Sequence, residues 1–166
     1  YRGLPLAYSV EHRPLGTGGA IRLAAQSPAR EPWFVLNGDT FVELDHRAML
    51  DLHRRGGERM TLAVCRVPDA GRYGAGEIEA GHVCGFREKG IAGPGAINAG
   101  TYLLSPQVVE MLPADEASSF ELQLLMPRVG ELRPAAFETA GLFIDIGVPE
   151  DYARAQQLFA ARATAR

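Results

Sequence analysis

Trp33-Phe34-Val35-Leu36-Asn37-Gly38-Asp39-Thr40 is the stretch that decides the architecture. Four consecutive apolar residues make a run of strand length, and the lack of alternation suits a parallel strand covered on both faces. The run breaks off in Asn-Gly-Asp-Thr, so a carboxylate stands just past the carboxyl end of a strand. Ligands collect at such places in open α/β sheets.

Outward from this strand the chain alternates. Upstream, residues 6–10 read as a short strand and 14–19 as a glycine-rich turn. Residues 20–25 are good helix formers, closed by Pro28 and Pro32. Downstream, Asp45 caps a helix running to about Arg55, with Gly56-Gly57 as its stop. Residues 60–67 form a β-branched, apolar strand. Residues 76–80 and 82–87 form a hairpin about Gly81, and 97–104 another strand. Pro106 opens a short helix to Leu112, and residues 120–129 are apolar at helical spacing until Pro127 interferes. Residues 142–146 are a last buried strand. Pro149 begins a helix to about Arg162, with acids in its first turn. This order predicts a mixed α/β sheet with helices on both faces, a single domain over residues 1–166.

Composition narrows the function. The chain has 166 residues, a net charge of −3 and 46% hydrophobic residues, with no apolar run long enough to span a membrane. The negative balance speaks against a nucleic-acid surface. Cys65 and Cys84 lie in apolar, strand-like segments, which predicts buried free thiols in a reducing, cytoplasmic setting. Four scattered histidines have no zinc-site spacing. Lys89 is the one lysine among 17 basic residues, which marks it as a place where a compact ammonium differs usefully from a guanidinium.

Two aspartates end strands: Asp39, and Asp145 in Phe143-Ile144-Asp145-Ile146-Gly147. Held ~4 Å apart they would repel by about 4 kcal/mol at an effective dielectric near 20. A hard divalent cation removes that cost and suits carboxylate plus phosphate oxygens. Asp39 also reads as a turn residue bonding its own backbone. Asp145, among apolar neighbours, is too costly to leave unpaired. Leu15-Gly16-Thr17-Gly18-Gly19-Ala20 precedes a helix but matches neither the Walker loop nor the dinucleotide fingerprint. Phe86-Arg87-Glu88-Lys89-Gly90 places an acid beside an ammonium, which alone reads as an exposed ion pair. Arg72-Tyr73-Gly74 and Ile97-Asn98-Ala99-Gly100 set polar groups beside glycines that permit close ligand approach. Pro149-Glu150-Asp151-Tyr152 reads as a helix start without chemistry.

Together these segments, with Leu36-Asn37-Gly38-Asp39-Thr40 and the run from Phe143 to Tyr152, resemble the sugar-phosphate nucleotidyltransferase family in order and spacing. The last segment and the Leu-Gly-Thr-Gly-Gly variant resemble its heptose 1-phosphate guanylyltransferases. The resemblance implies a Rossmann-like nucleotide-diphospho-sugar transferase fold and a magnesium-dependent reaction. A sugar 1-phosphate attacks the α-phosphorus of a nucleoside triphosphate, giving NDP-sugar and pyrophosphate. GTP and a heptose 1-phosphate are the expected pair. It further implies that Asp39 and Asp145 hold Mg²⁺ and that Lys89 holds the sugar phosphate. Glu88 and Asn98 would take sugar hydroxyls, the Tyr73-Gly74 backbone would approach the sugar, and Thr17-Gly18 would lie against the base, with Gly19, Asn37 and Gly38 also binding substrate.

The resemblance departs in one respect. The family's opening strand, its Gly-Thr-Arg loop and the Pro-Lys-Pro-like segment do not occur in these 166 residues. This predicts a sheet lacking its first βαβ unit, an exposed strand edge and a piece inactive by itself. A non-catalytic sugar-nucleotide-binding regulatory homologue is the alternative of a different class. Other sugar 1-phosphates, mannose 1-phosphate among them, stay open, as does homo-oligomer formation. A glycosyltransferase is disfavoured, because Gly38-Asp39-Thr40-Phe41 has one acid where an Asp-x-Asp site needs two.

Overall fold

The computed structural model describes residues 3, 5–25, 31–114 and 116–164. In chain order the elements are α1 (Gly16–Ala24), β1 (Trp33–Leu36), β2 (Thr40–Val42), α2 (His46–Gly56), β3 (Met60–Val67), β4 (Gly76–Glu79) and β5 (His82–Phe86). They continue with β6 (Gly95–Leu104), α3 (Pro106–Glu110), a π-helical turn (Phe120–Leu125), α4 (Val129–Leu132), β7 (Ala135–Thr139), β8 (Phe143–Asp145) and α5 (Pro149–Thr164). Six strands form one sheet in the order β1-β6-β3-β7-β5-β4, while β2 and β8 make a separate ribbon.

The sheet is mixed. β3 and β7 run parallel, and β3 and β6 antiparallel. Alternation along β3 divides the interior in two. Met60, Leu62 and Val64 face a core shared with Tyr102, Val108, Phe120 and Leu125. Ala63 and Cys65 face a second core with Met49, Ile97 and Leu103. Burying each large side chain of this kind contributes about 1.5–3 kcal/mol. Helix α2 is set as expected: Asp45 Oδ1 accepts from the Ala48 amide at 3.0 Å, and Gly57 ends it in the left-handed region.

Four expectations are corrected. Residues 6–10 form no strand; Tyr8 is 84% exposed, and apolar residues without a partner edge gain nothing from extending. β1 is not parallel and doubly covered but pairs antiparallel with β6 at the sheet edge, leaving Leu36 56% exposed. The glycine segment is not a turn ahead of a helix, since Gly16 already begins α1. Cys65 is buried and its thiol pKa is pushed up by burial, whereas Cys84 is only half-buried. The stop expected at Pro28 lies outside the described residues. Strands β2 and β7 were not legible: β2 has three residues, and Ala135-Ala136-Phe137-Glu138-Thr139, although bounded by Pro134 and Gly141, has no apolar–polar alternation. Among the described residues no helix is long and apolar enough to cross a membrane.

Candidate active site

Strand β6 carries the first polar wall. Between Leu62↔Tyr102 and Val64↔Asn98 it holds three residues against one on β3, a bulge that passes through Gly100 at φ +67°. Bulges of this kind re-aim a side chain. Asn98 lies just before this one and lines an open cavity of about 430 Å³. Gly100 also lets Asn37 pass: a Cβ there would stand 3.0 Å from the Asn37 side-chain Nδ2, and the Asn37 backbone N–H donates to the Gly100 carbonyl at 2.8 Å.

The β2–β8 ribbon sets the two aspartates side by side in the backbone. Thr40 pairs with Asp145, and the Ile146 amide donates to the Asp39 carbonyl at 2.9 Å. Asp145 lines the large cavity. Asp39 lines a neighbouring groove with Gly38, and Thr40 borders both. Asp145 Oδ1 accepts from the Gly147 amide at 2.7 Å, and Asp39 Oδ1 accepts from the Thr40 hydroxyl at 3.3 Å.

Tyr73, Gly74, Glu88 and Lys89 also line the cavity, and Tyr73 packs edge-on against Phe143 of the ribbon. Their two loops are laced together by backbone bonds, Arg87 amide to Ala75 carbonyl at 2.7 Å and Gly90 amide to Gly71 carbonyl at 2.7 Å. Gly74 has φ +80°, and a Cβ there would meet the Arg87 carbonyl at 2.9 Å, so only glycine fits. Among the described residues, neither Glu88 nor Lys89 forms an ion pair or hydrogen bond with another protein group. The exposed-pair reading therefore does not describe them. Both groups are available to a ligand.

Thr17, Gly18 and Gly19 do not line this cavity. Thr17 Oγ1 accepts from the Phe120 amide at 2.8 Å and donates to Glu121 Oε2 at 3.3 Å. Gly18 donates its amide to the Ser118 carbonyl at 2.8 Å. At Gly19 a Cβ would come within 2.7 Å of Leu15 Cβ and 2.8 Å of the Glu116 carbonyl. Gly19→Ala is thus expected to destabilise the fold by about 1–3 kcal/mol through overpacking, read from urea midpoints. A wild-type midpoint would show that the segment can shift.

Glu121 was not singled out from sequence, yet it lines the cavity. Its Oε1 accepts from the Tyr102 hydroxyl at 3.0 Å, and that hydroxyl in turn accepts from Asn98 Nδ2 at 2.8 Å. Burial and the neighbouring Glu121 charge raise the Tyr102 pKa, keeping it a neutral donor. Nothing local marks Glu121: it sits in an amphipathic turn like any solvent-facing acid. Its contacts with distant residues reveal it, Tyr102 19 positions upstream and Thr17 104 positions upstream.

The chain matches the model of the family described as "Nucleotidyl transferase" over residues 2–162. It is 36% identical over 95% of its length to the D-glycero-alpha-D-manno-heptose 1-phosphate guanylyltransferase of Aneurinibacillus thermoaerophilus, covering 68% of that protein. It is 37% identical over 92% of its length to the enzyme of the same name from Campylobacter jejuni, covering 66%. The crystal structure of HddC from Yersinia pseudotuberculosis complexed with GMP-PN superposes with a TM-score of 0.78 at 41% identity. That likeness covers 90% of this chain and 64% of the other. The chain thus spans about two thirds of the length of each. With the family match running almost end to end, the chain belongs to the nucleotidyl transferase family.

Proposed function

We propose that the chain carries the sugar-phosphate and metal side of a centre that transfers a nucleotidyl group from GTP to a heptose 1-phosphate. The observation that carries this reading is the cavity itself: Lys89 and Glu88, both without protein partners among the described residues, line it together with Asn98, Glu121 and Asp145. An ammonium free of ion pairs is a binding site for a phosphate, and the carboxylates and amide of Glu88, Glu121 and Asn98 are acceptors and donors for hydroxyls. The relatives' names and the GMP-PN complex of the Yersinia protein support guanine and heptose.

A hard divalent cation fits the donor set. Asp145 offers Oδ2, which makes no hydrogen bond among the described residues, and Asp39 is on adjoining backbone with its side chain in the neighbouring groove. No group of three or more His, Cys, Asp or Glu gathers there among those residues. Mg²⁺ takes one or two carboxylates and completes its shell with water and phosphate oxygens, so Asp145 would hold it together with the substrate phosphates. When bound, Mg²⁺ would neutralise charge on the phosphates.

In this mechanism a phosphate oxygen of the sugar 1-phosphate attacks the α-phosphorus, the bond to the β-phosphate oxygen breaks, and pyrophosphate leaves. Lys89 holds the attacking phosphate. Asn98 and Glu121, locked by Tyr102, orient the sugar, and Tyr73-Gly74 brings backbone against it. No protein nucleophile is needed, because the rate comes from position and charge. Thr17, Gly18 and Gly19 act on this reading through the π-turn that they buttress rather than by touching the base.

A grid of four nucleoside triphosphates against heptose, mannose and glucose 1-phosphates tests the proposal. It is run on this chain alone and on the chain fused behind a family βαβ unit, with pyrophosphate as readout. Release that needs Mg²⁺, GTP and heptose 1-phosphate together is expected of the fusion. NDP-sugar binding without turnover in both proteins would establish the regulatory reading instead.

A further inference from the structure

Arg72 stands where the two sides of the site meet, and the mechanism above gives it no task. Its guanidinium reaches in two directions. Nη1 donates to Asp151 Oδ2, and Nη2 lies 4.0 Å from Asp145 Oδ1. Asp151, near the start of α5, is only 7% exposed and is also paired with Arg154 at 3.2 Å. Arg72 holds its carboxyl below the usual range, so Asp151 stays charged. The Arg72 guanidinium also lies 5.2 Å from the centre of the Tyr73 ring, and Tyr73 packs edge-on against Phe143 at 5.5 Å.

The loop bearing Arg72 is fixed from behind. Asp69 Oδ1 accepts from the Gly71 and Gly93 amides at 2.9 and 3.1 Å, and the Gly90 amide donates to the Gly71 carbonyl at 2.7 Å. Arg72 is therefore a side chain on a braced loop. A modest rotation of its guanidinium trades Asp151 against Asp145.

We propose that Arg72 is the built-in counter-ion of the metal carboxylate. Without a cation it balances the charge of Asp145, and with one bound Asp151 retains the guanidinium and keeps it off the metal ligand. Arg72 and Asp151 are positioning residues that set the cation affinity of Asp145. This rests on the reading of Asp145 as a metal ligand. The physical ground is short-range charge: a full positive charge so close to Asp145 opposes a divalent cation even at high effective dielectric. A buried aspartate whose main partner is that same arginine is what prevents the competition from being lost.

Mn²⁺ titration of this chain followed by electron paramagnetic resonance tests the proposal without turnover, with thermal melts confirming that each variant folds. Arg72→Gln is expected to tighten Mn²⁺ binding roughly threefold to tenfold, whereas Arg72→Lys, which keeps the charge, stays near wild type. Asp151→Asn weakens binding roughly threefold in the wild-type background but has almost no effect when Arg72 is already Gln. If Arg72→Gln does not fold with Asp151 left to Arg154 alone, the double variant removes both charges and is compared with Asp151→Asn alone. The proposal is overturned by unchanged or weakened Mn²⁺ binding in folded Arg72→Gln, or by an equal loss from Asp151→Asn in both backgrounds. Asp145→Asn separates the two readings: Mn²⁺ binding that survives it refutes the metal assignment whatever Arg72 does. No saturable binding in any variant sinks both.

Discussion

In the chain fused behind a family βαβ unit, Asp145→Ala is expected to lower Mg²⁺-dependent pyrophosphate release by roughly 10²–10³-fold, and excess Mg²⁺ not to restore it. The expectation follows from where the ribbon places the group. Asp145 is the last residue of β8, paired with Thr40 of β2, and its side chain is fixed by the Gly147 amide at 2.7 Å. A carboxylate held by its own backbone turn cannot be replaced by a neighbour. Asp145→Asn is the sharper variant, because its amide oxygen keeps the bond to Gly147 and leaves the ribbon intact while the charge is lost. It is expected to match Asp145→Ala in activity and the wild type in thermal midpoint. Asp39→Ala should lose activity to a similar degree. Its carboxylate sits in the adjoining groove, so if only Asp39→Ala kept full turnover, the cation would rest on Asp145 and phosphate oxygens alone. Activity retained in Asp145→Ala would refute the assignment.

Much of this arrangement could be read from local sequence, for identifiable reasons. The cap at Asp45, the left-handed stop at Gly57 and the Gly81 hairpin are short-range signals, and each stands where expected. Motifs flanked by glycine were legible too, since Gly74 and Gly100 are needed for backbone geometry that any structure of this kind must hold. What could not be read depends on contacts between distant segments. The direction of β1 is set by β6, 65 to 71 positions downstream, and four apolar residues do not encode which partner arrives. The role of Thr17 depends on Glu121 and Phe120, and that of Glu121 on Tyr102. The glycines at 16, 18 and 19 looked like a ligand loop because glycine serves close approach of any kind. Here the approaching groups are the chain's own Ser118 and Glu116.

Lys89→Met is expected to lower kcat/KM for the sugar 1-phosphate by roughly 10²-fold, the scale of losing a charge-assisted hydrogen bond to a phosphate. It should leave the thermal midpoint unchanged, because among the described residues the ammonium supports no other group. That combination separates Lys89 from a structural residue. Lys89→Arg is expected to recover only part of the loss. A guanidinium carries the charge but presents a planar fork on a different stem, and the wall it would occupy already contains Arg87. The salt dependence gives a second readout: raising ionic strength should weaken sugar 1-phosphate binding in the wild type and have much less effect in Lys89→Met. Calorimetry with the free sugar completes the argument. A heptose without its phosphate should bind both proteins equally weakly, through Asn98 and Glu121. If the free sugar also lost affinity in Lys89→Met, the lysine would be ordering the sugar pocket rather than holding the phosphate.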